Sequence, residues 1–149
     1  IFVAARGNHA NFREADLSKC CITGESAFES ADFSGAVLEG AGMLGTKFRY
    51  AGFRRGNLSA ANFMECDLRN ADLSEALALQ TRFDKANLEE ANLAATNAME
   101  CSMRKARLTG ADLRDSNFYS AEFMKTKIGN TRFEGANLDK TKLADWGNK

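Results

Sequence analysis

Residues 61–73 read Ala61-Asn62-Phe63-Met64-Glu65-Cys66-Asp67-Leu68-Arg69-Asn70-Ala71-Asp72-Leu73. Every fifth residue is large and apolar, and the residue two before it is small. Working outward, this frame runs from Phe28 to Leu143 through twenty-four positions: nine Phe, ten Leu, two Met, one Ile, and the two alanines Ala78 and Ala98. The positions two residues earlier, Ser26 to Thr141, hold only Ala, Ser, Thr, Cys or Gly. One residue out of phase, the frame continues backwards through Ile22, Leu17, Phe12 and Phe2, so all 11 Phe lie on it. An internal repeat of this kind decides the fold before any local propensity does.

A period of five suits neither regular element. On a helix of 3.6 residues per turn it smears the apolar residues around the whole surface. On a plain strand, an odd period alternates them between opposite faces. The pattern closes if the chain turns a corner once per repeat, each unit supplying one large inward residue, one small inward residue and a turn. The chain has no proline, which suits a ladder that needs every backbone donor.

The stretches Ala15-Asp16-Leu17, Ala61-Asn62-Phe63, Ala71-Asp72-Leu73, Ala86-Asn87-Leu88, Ala91-Asn92-Leu93, Ala111-Asp112-Leu113 and Ala136-Asn137-Leu138 resemble the repeat of the pentapeptide-repeat family, Ala-(Asp/Asn)-Leu-x-x. The resemblance covers nearly the whole chain. It implies an all-β fold: a right-handed quadrilateral β-helix with four repeats per coil, in a single domain of about seven coils, about 34 Å long at the ladder spacing between strands. The Asp or Asn before the central residue is expected to bond local backbone in the turn. The expected organisation is an irregular N-terminal region over 1–27, a regular β-helix over 28–143 and a C-terminal cap over 144–149.

Four inward columns follow. The first is Phe28, Phe48, Leu68, Leu88, Leu108, Ile128; the second Phe33, Phe53, Leu73, Leu93, Leu113, Phe133. The third is Leu38, Leu58, Ala78, Ala98, Phe118, Leu138, and the fourth Met43, Phe63, Phe83, Met103, Phe123, Leu143. Ala78 and Ala98 remove volume in adjacent coils of the third column. The gap is expected to be filled by Phe83 and Met103 across the corner, or by Leu77 or Leu79 swinging inward. Outside the same wall, Val37, Leu77, Leu79, Met99 and Tyr119 are apolar, and the fourth wall adds Leu44, Met64 and Met124. An apolar strip of this size is a candidate interaction surface. On the fourth wall Arg82, Lys85, Arg104, Lys105, Lys125 and Lys142 face Glu65, Asp84, Glu122 and Asp145, which reads as a mixed solvated wall.

Ile22 and Phe28 are six residues apart, so one residue must bulge, and Gly24 can take the backbone this requires. Gly7 stands where a large residue is expected, which predicts a frayed first coil. After Leu143 comes Ala144-Asp145-Trp146-Gly147-Asn148-Lys149. Trp146 is a candidate cap over the last coil. The rival reading is a dimer contact, since many members of the resembled family pair through their C-terminal ends.

The chain has 149 residues and a net charge of +0, with 20 basic and 20 acidic residues interspersed. A strongly basic nucleic-acid binder is disfavoured. No apolar run approaches the ~18 residues of a membrane span, and no secretory leader is visible at the N-terminus. The expectation is a cytoplasmic protein or, given the start at Ile1, a module of a longer or secreted one. Cys20, Cys66 and Cys101 fall on the small inward position, with Cys21 beside the first; their spacing matches no zinc pattern. His9 is the single histidine and has no orienting group near it in sequence. No glycine loop with a following Lys-Ser/Thr is present. Neither a catalytic residue, a cofactor nor a metal is expected.

The sequence therefore points to a non-catalytic scaffold that presents the walls of a rigid rod to a protein partner, with no direct contact to nucleic acid or membrane. The alternative comes from the resemblance: some members mimic duplex DNA and bind type II topoisomerases such as DNA gyrase. That role needs a strongly negative wall, and here Arg and Lys interrupt each acidic face. The long inserted loops of the gyrase-protecting members from Gram-negative bacteria are also missing between Phe28 and Leu143.

Overall fold

The structure, a computed structural model, describes residues 1–141. Lys142, Leu143 and Asp145, the cap over 144–149 and its Trp146 lie outside the described residues. Parallel bridges join residues 20 apart along the rod, as in Ala27↔Lys47, Lys47↔Asp67, Asp67↔Asn87 and Asn117↔Asn137. Four such columns stand side by side and enclose one core. Each wall contributes a single bridging residue per coil, the one before the inward residue. The two exceptions among the described residues are β1 (Phe2–Val3) and β2 (Ile22–Thr23), which pair in parallel.

The repeat's chemistry explains this economy. In the unit around Phe33, the Phe33 N–H donates to Gly52 C=O below at 2.7 Å, and Gly35 N–H donates to Arg54 C=O at 2.9 Å. The Asp32 N–H donates upward to Ala10 C=O at 2.9 Å, and Ala36 N–H closes the turn on Phe33 C=O at 2.9 Å. One donor is left, the N–H after the inward residue, and Asp32 Oδ1 accepts it from Ser34 at 2.9 Å. The same bond forms from Asn57, Asn62, Asp72, Asn92 and Asp112. All five backbone donors of such a unit are thereby satisfied, as a buried ladder requires.

The corner has one further property. In every repeat from Ala4 to Lys140, the residue two after the inward one has φ between 47° and 74°. Glycine occupies this corner only at Gly24, Gly35, Gly40, Gly45, Gly110 and Gly135; elsewhere residues such as Glu65, Lys85 and Lys105 sit in the left-handed region. An isolated L-residue there costs about 1 kcal/mol, which the closed turn and the ladder bond from the same residue offset.

The core is aromatic at one end. Phe12, Phe33 and Phe53 form a stack with centroids 4.8 and 5.0 Å apart and planes within 8°. Phe28, Phe48 and Phe63 cross it edge-on. From Leu68 to Leu113 the interior is mostly aliphatic and wholly buried. Burying each such side chain contributes about 2 kcal/mol.

Two expectations are modified and one is kept. The first coil is not frayed: Gly7 N–H donates to Ala27 C=O at 2.8 Å, and the Phe28 ring fills the space a Gly7 side chain would take. Leu77 and Leu79 do not swing inward. Ala78 N–H keeps its ladder bond to Asn97 C=O at 2.7 Å, Gln80 keeps its left-handed corner, and Leu77 stays 37% exposed. A swing would break that ladder, and the lost bonds would outweigh the gained packing. At the slip, the offset between bridged residues becomes 21, as in Arg6↔Ala27 and Cys21↔Gly42. Gly24 takes φ 70° there. The Ser26 hydroxyl stitches the bulge, accepting from Ala5 N–H at 3.0 Å and donating to Thr23 C=O at 2.7 Å.

Candidate functional site

The outside of the third wall follows from the inside. In the coils where Ala78 and Ala98 point inward, Leu77, Leu79 and Met99 point outward. Leu77 is exposed, and Leu79, Met99 and Tyr119 are half-buried. Leu79, Gln80, Met99 and Glu100 line a shallow hollow of about 270 Å³, with Gln80 Nε2 donating to Glu100 Oε2 at 2.8 Å along its rim. Lys140 places its ammonium 5.2 Å from the Tyr119 ring centroid in the next coils.

The turn bonding lapses here, as it does in other repeats without Asp or Asn, such as those of Gly42, Lys47 and Gly52. Leu77 replaces the Asp or Asn, so the Leu79 N–H has no acceptor among the described residues. Asn97 is present, but its Oδ1 is buried and unpaired, and it does not take the Met99 N–H. A buried unpaired amide oxygen costs about 1–3 kcal/mol. The lapse lies against the hollow, so the apolar strip carries unmatched polar groups of its own.

The eight apolar candidates therefore do not form one patch. Leu77, Leu79, Met99 and Tyr119 cluster. Val37 is half-buried and stands on the same wall with Asn57 between it and Leu77. On the fourth wall, Leu44 and Met64 are neighbours, and Met124, 44% exposed, is separated from them by Asp84 and Arg104.

Asp84 is the most buried acid of the described residues, 4% exposed. Its carboxylate accepts from Arg104 N–H at 3.1 Å, Arg104 Nε at 3.0 Å and the Ser102 hydroxyl. Arg82 stands 3.9 Å away. Burial pulls the Asp84 carboxyl upward, but the bonds from Arg104 and Ser102 outweigh it and hold it below the usual carboxylate range. The carboxylate thus supplies the turn acceptor that Ser102 cannot, one coil below its own. Asp112 on the second wall is held low chiefly by the bond from Arg114, with Arg132 also on it at 2.8 Å.

Among the described residues, the buried inward thiols Cys66 and Cys101 are not poised as nucleophiles. Cys66 is buried, its Sγ donates to Met43 C=O at 2.8 Å, and burial pushes its thiol up to about 12. Burial raises the Cys101 thiol as well. Thr81, Thr96 and Thr126 make the same bond as Cys66, to the carbonyls of Leu58, Leu73 and Met103. These inward positions are structural. Among the described residues no cluster of His, Cys, Asp and Glu could hold a metal ion, and no helix is long and apolar enough to cross a membrane.

Two features were not singled out from sequence. One is Tyr50, 56% exposed at a corner with the Arg49 guanidinium 5.5 Å over its ring. The other is the Asp84 network, whose partners lie a full coil apart and become visible only once the twenty-residue register is applied.

Four walls, one inward residue per wall and a corner every five residues define a β-helical solenoid. The chain belongs to the family of pentapeptide repeats, whose model matches residues 26–63, 61–97 and 101–139 in 8 copies, and whose fold is the right-handed quadrilateral β-helix. Among solved structures it is similar to a trypsin-treated form of QnrB1, a plasmid-mediated fluoroquinolone resistance protein: 23% identity, covering 94% of this chain and 70% of that one, TM-score 0.49. It is similar also to Rfr23, a pentapeptide repeat protein from the cyanobacterium Cyanothece 51142, with 17% identity, 95% and 86% coverage and TM-score 0.47. A third is HetL, a pentapeptide repeat protein involved in heterocyst differentiation regulation from Nostoc sp. strain PCC 7120, with 23% identity, 93% and 74% coverage and TM-score 0.31. No curated protein matches the sequence.

Proposed function

We propose that this protein is a non-catalytic scaffold that binds a protein partner through the third wall of its rod. One observation carries the reading: Leu77, Leu79 and Met99 are held outside a wall whose interior at that point contains only Ala78 and Ala98. The apolar area left in solvent there is a cost that a partner would remove. The hollow between Leu79 and Met99, with the free N–H groups beside it, would give such a partner a register.

The test is co-purification and light scattering with wild type and with Leu79→Glu/Tyr119→Glu. Partner binding or self-association should be lost while the melting curve is unchanged. Association that survives both charges overturns the reading. Pairing of two rods through the C-terminal end and a cytoplasmic location belong to the same proposal; truncation after Thr141 and fractionation of the native host test them.

The topoisomerase alternative has the rod but not the wall. Arg54 and Arg55 share Glu75, Arg114 and Arg132 share Asp112, and Arg107 holds Glu89. Among the described residues no wall keeps an uninterrupted acidic column. A gyrase supercoiling assay with and without the protein distinguishes the two readings, and inhibition would favour the alternative.

A further inference from the structure

The acids and bases cancel over the whole chain, but they do not cancel everywhere on the rod. At the corner after the fourth wall, Lys85, Lys105 and Lys125 occupy the same position in three successive coils. The ladder bonds Lys85 N–H to Arg104 C=O, 2.8 Å, and Lys105 N–H to Met124 C=O, 2.9 Å, hold them in line. Like charges one rung apart repel. Lys127 continues the patch onto the first wall. The acids nearby are engaged: Glu65 with Lys85 at 2.8 Å, Asp84 and Glu122 with Arg104 at 3.0 and 3.7 Å, Glu89 with Arg107 at 2.6 Å. Lys105, Lys125 and Lys127, all exposed, have no acid among the described residues.

Beside these lysines the wall is grooved. A hollow of about 210 Å³ is floored by the Asp84–Arg104 pair and bounded by Met64 and Met124, with Lys85 and Lys105 along its edge. Thioether side chains adapt to varied apolar partners. The floor is saturated with internal bonds and offers little to a ligand. The bounds offer apolar contact and, at Lys105, a positive charge with no ion-pair partner among the described residues.

We propose that the fourth wall and its lysine corner dock an acidic, apolar-bearing segment of a protein partner, its apolar side chains seated against Met64 and Met124 and its carboxylates on Lys105, Lys125 and Lys127. Charge complementarity selects the occupant. A nucleic acid fits less well: the lysine column spans only two rungs, about 10 Å, and the groove has no aromatic platform for base stacking. The proposal rests on the reading of the rod as an interaction scaffold but uses a different wall from the Leu79–Met99 strip.

Fluorescence anisotropy with a labelled ten-residue peptide alternating Glu and Leu tests it. Binding is expected in 50 mM salt and should weaken steeply by 300 mM. Lys105→Glu/Lys125→Glu should weaken it at least tenfold and Met124→Ser several-fold. A peptide alternating Glu and Ser should bind more weakly than the Glu/Leu peptide. Lys19→Glu/Lys47→Glu, which moves the net charge equally, should leave binding unchanged. So should Leu79→Glu/Tyr119→Glu, which separates failure here from failure of the third wall. No binding of the Glu/Leu peptide, an equal loss in the Lys19/Lys47 control, or tighter binding of a ten-nucleotide single strand would overturn the proposal. Circular dichroism melts show whether each variant remains folded.

Discussion

The third and fourth walls share one backbone and differ on both surfaces. In the same two coils, the third wall has Ala78 and Ala98 inside with Leu79 and Met99 outside, while the fourth has Phe83 and Met103 inside with Asp84 and Arg104 outside. Both keep the same ladder bonds, corner φ and turn closure. The inward residue therefore does not dictate what the outside carries. A wall can be small within and apolar without, or large within and ionic without, and the coil does not deform.

The sharpest way to break the comparison is to remove the fourth wall's interior. Phe83→Ala should cost about 3–5 kcal/mol, measured by urea denaturation, because Ala78 and Ala98 nearby leave little to collapse into the gap. A cost below 1 kcal/mol would show that this part of the core is already loose. Ala78→Leu asks the converse. If Phe83 and Met103 already take the space, the larger side chain overpacks and costs about 1–3 kcal/mol; a gain in stability would show a void on the third wall.

On the outside, Asp84→Asn should cost about 1–3 kcal/mol, since Arg104 loses the nearer of its two charged partners. It should also alter the acid limb of stability. The folded Asp84 carboxyl lies below its unfolded value, so its contribution is full above the unfolded pKa and is lost as pH falls through the lower, folded one. Wild type should lose this stability only below about pH 4, and the variant should lack that component in melts taken from pH 6 to pH 2. Gly45→Ala is smaller, about 1 kcal/mol. No atom lies within 4 Å of the added Cβ, so only the left-handed backbone resists it. Leu79→Glu/Tyr119→Glu should shift stability least, by about 0.5 kcal/mol or less.

How much of this was legible in sequence depends on which period carried it. The fold was legible because Phe, Leu and the small residues recur every five positions, and the bonds from Asp32, Asn57 or Asp112 to the following turn could be anticipated from residue type. The left-handed corner was not, because Glu65, Lys85 and Gln80 give no sign of it; the closing turn imposes that conformation on whatever residue arrives. The failed swing of Leu77 has the same origin, a ladder bond whose hold cannot be read from side chains. The candidate surfaces were legible as columns, but not the division of the fourth wall by Asp84 and Arg104 or the orphaned oxygen of Asn97, which depend on side-chain bonds between coils.

The corner that accepts any residue gives this protein an unusual mutational grammar. The core reads the chain modulo five, and each outer wall reads it modulo twenty. Inserting one repeat between Ala60 and Ala61 would leave every downstream large and small residue correctly inward, so the rod should still fold. Yet it would rotate everything after it by a quarter turn, carrying Leu79 and Met99 onto the fourth wall and Lys105 and Lys125 one corner further. Four repeats inserted together would restore the original faces. Binding and folding can thus be separated by counting residues, without changing one side chain.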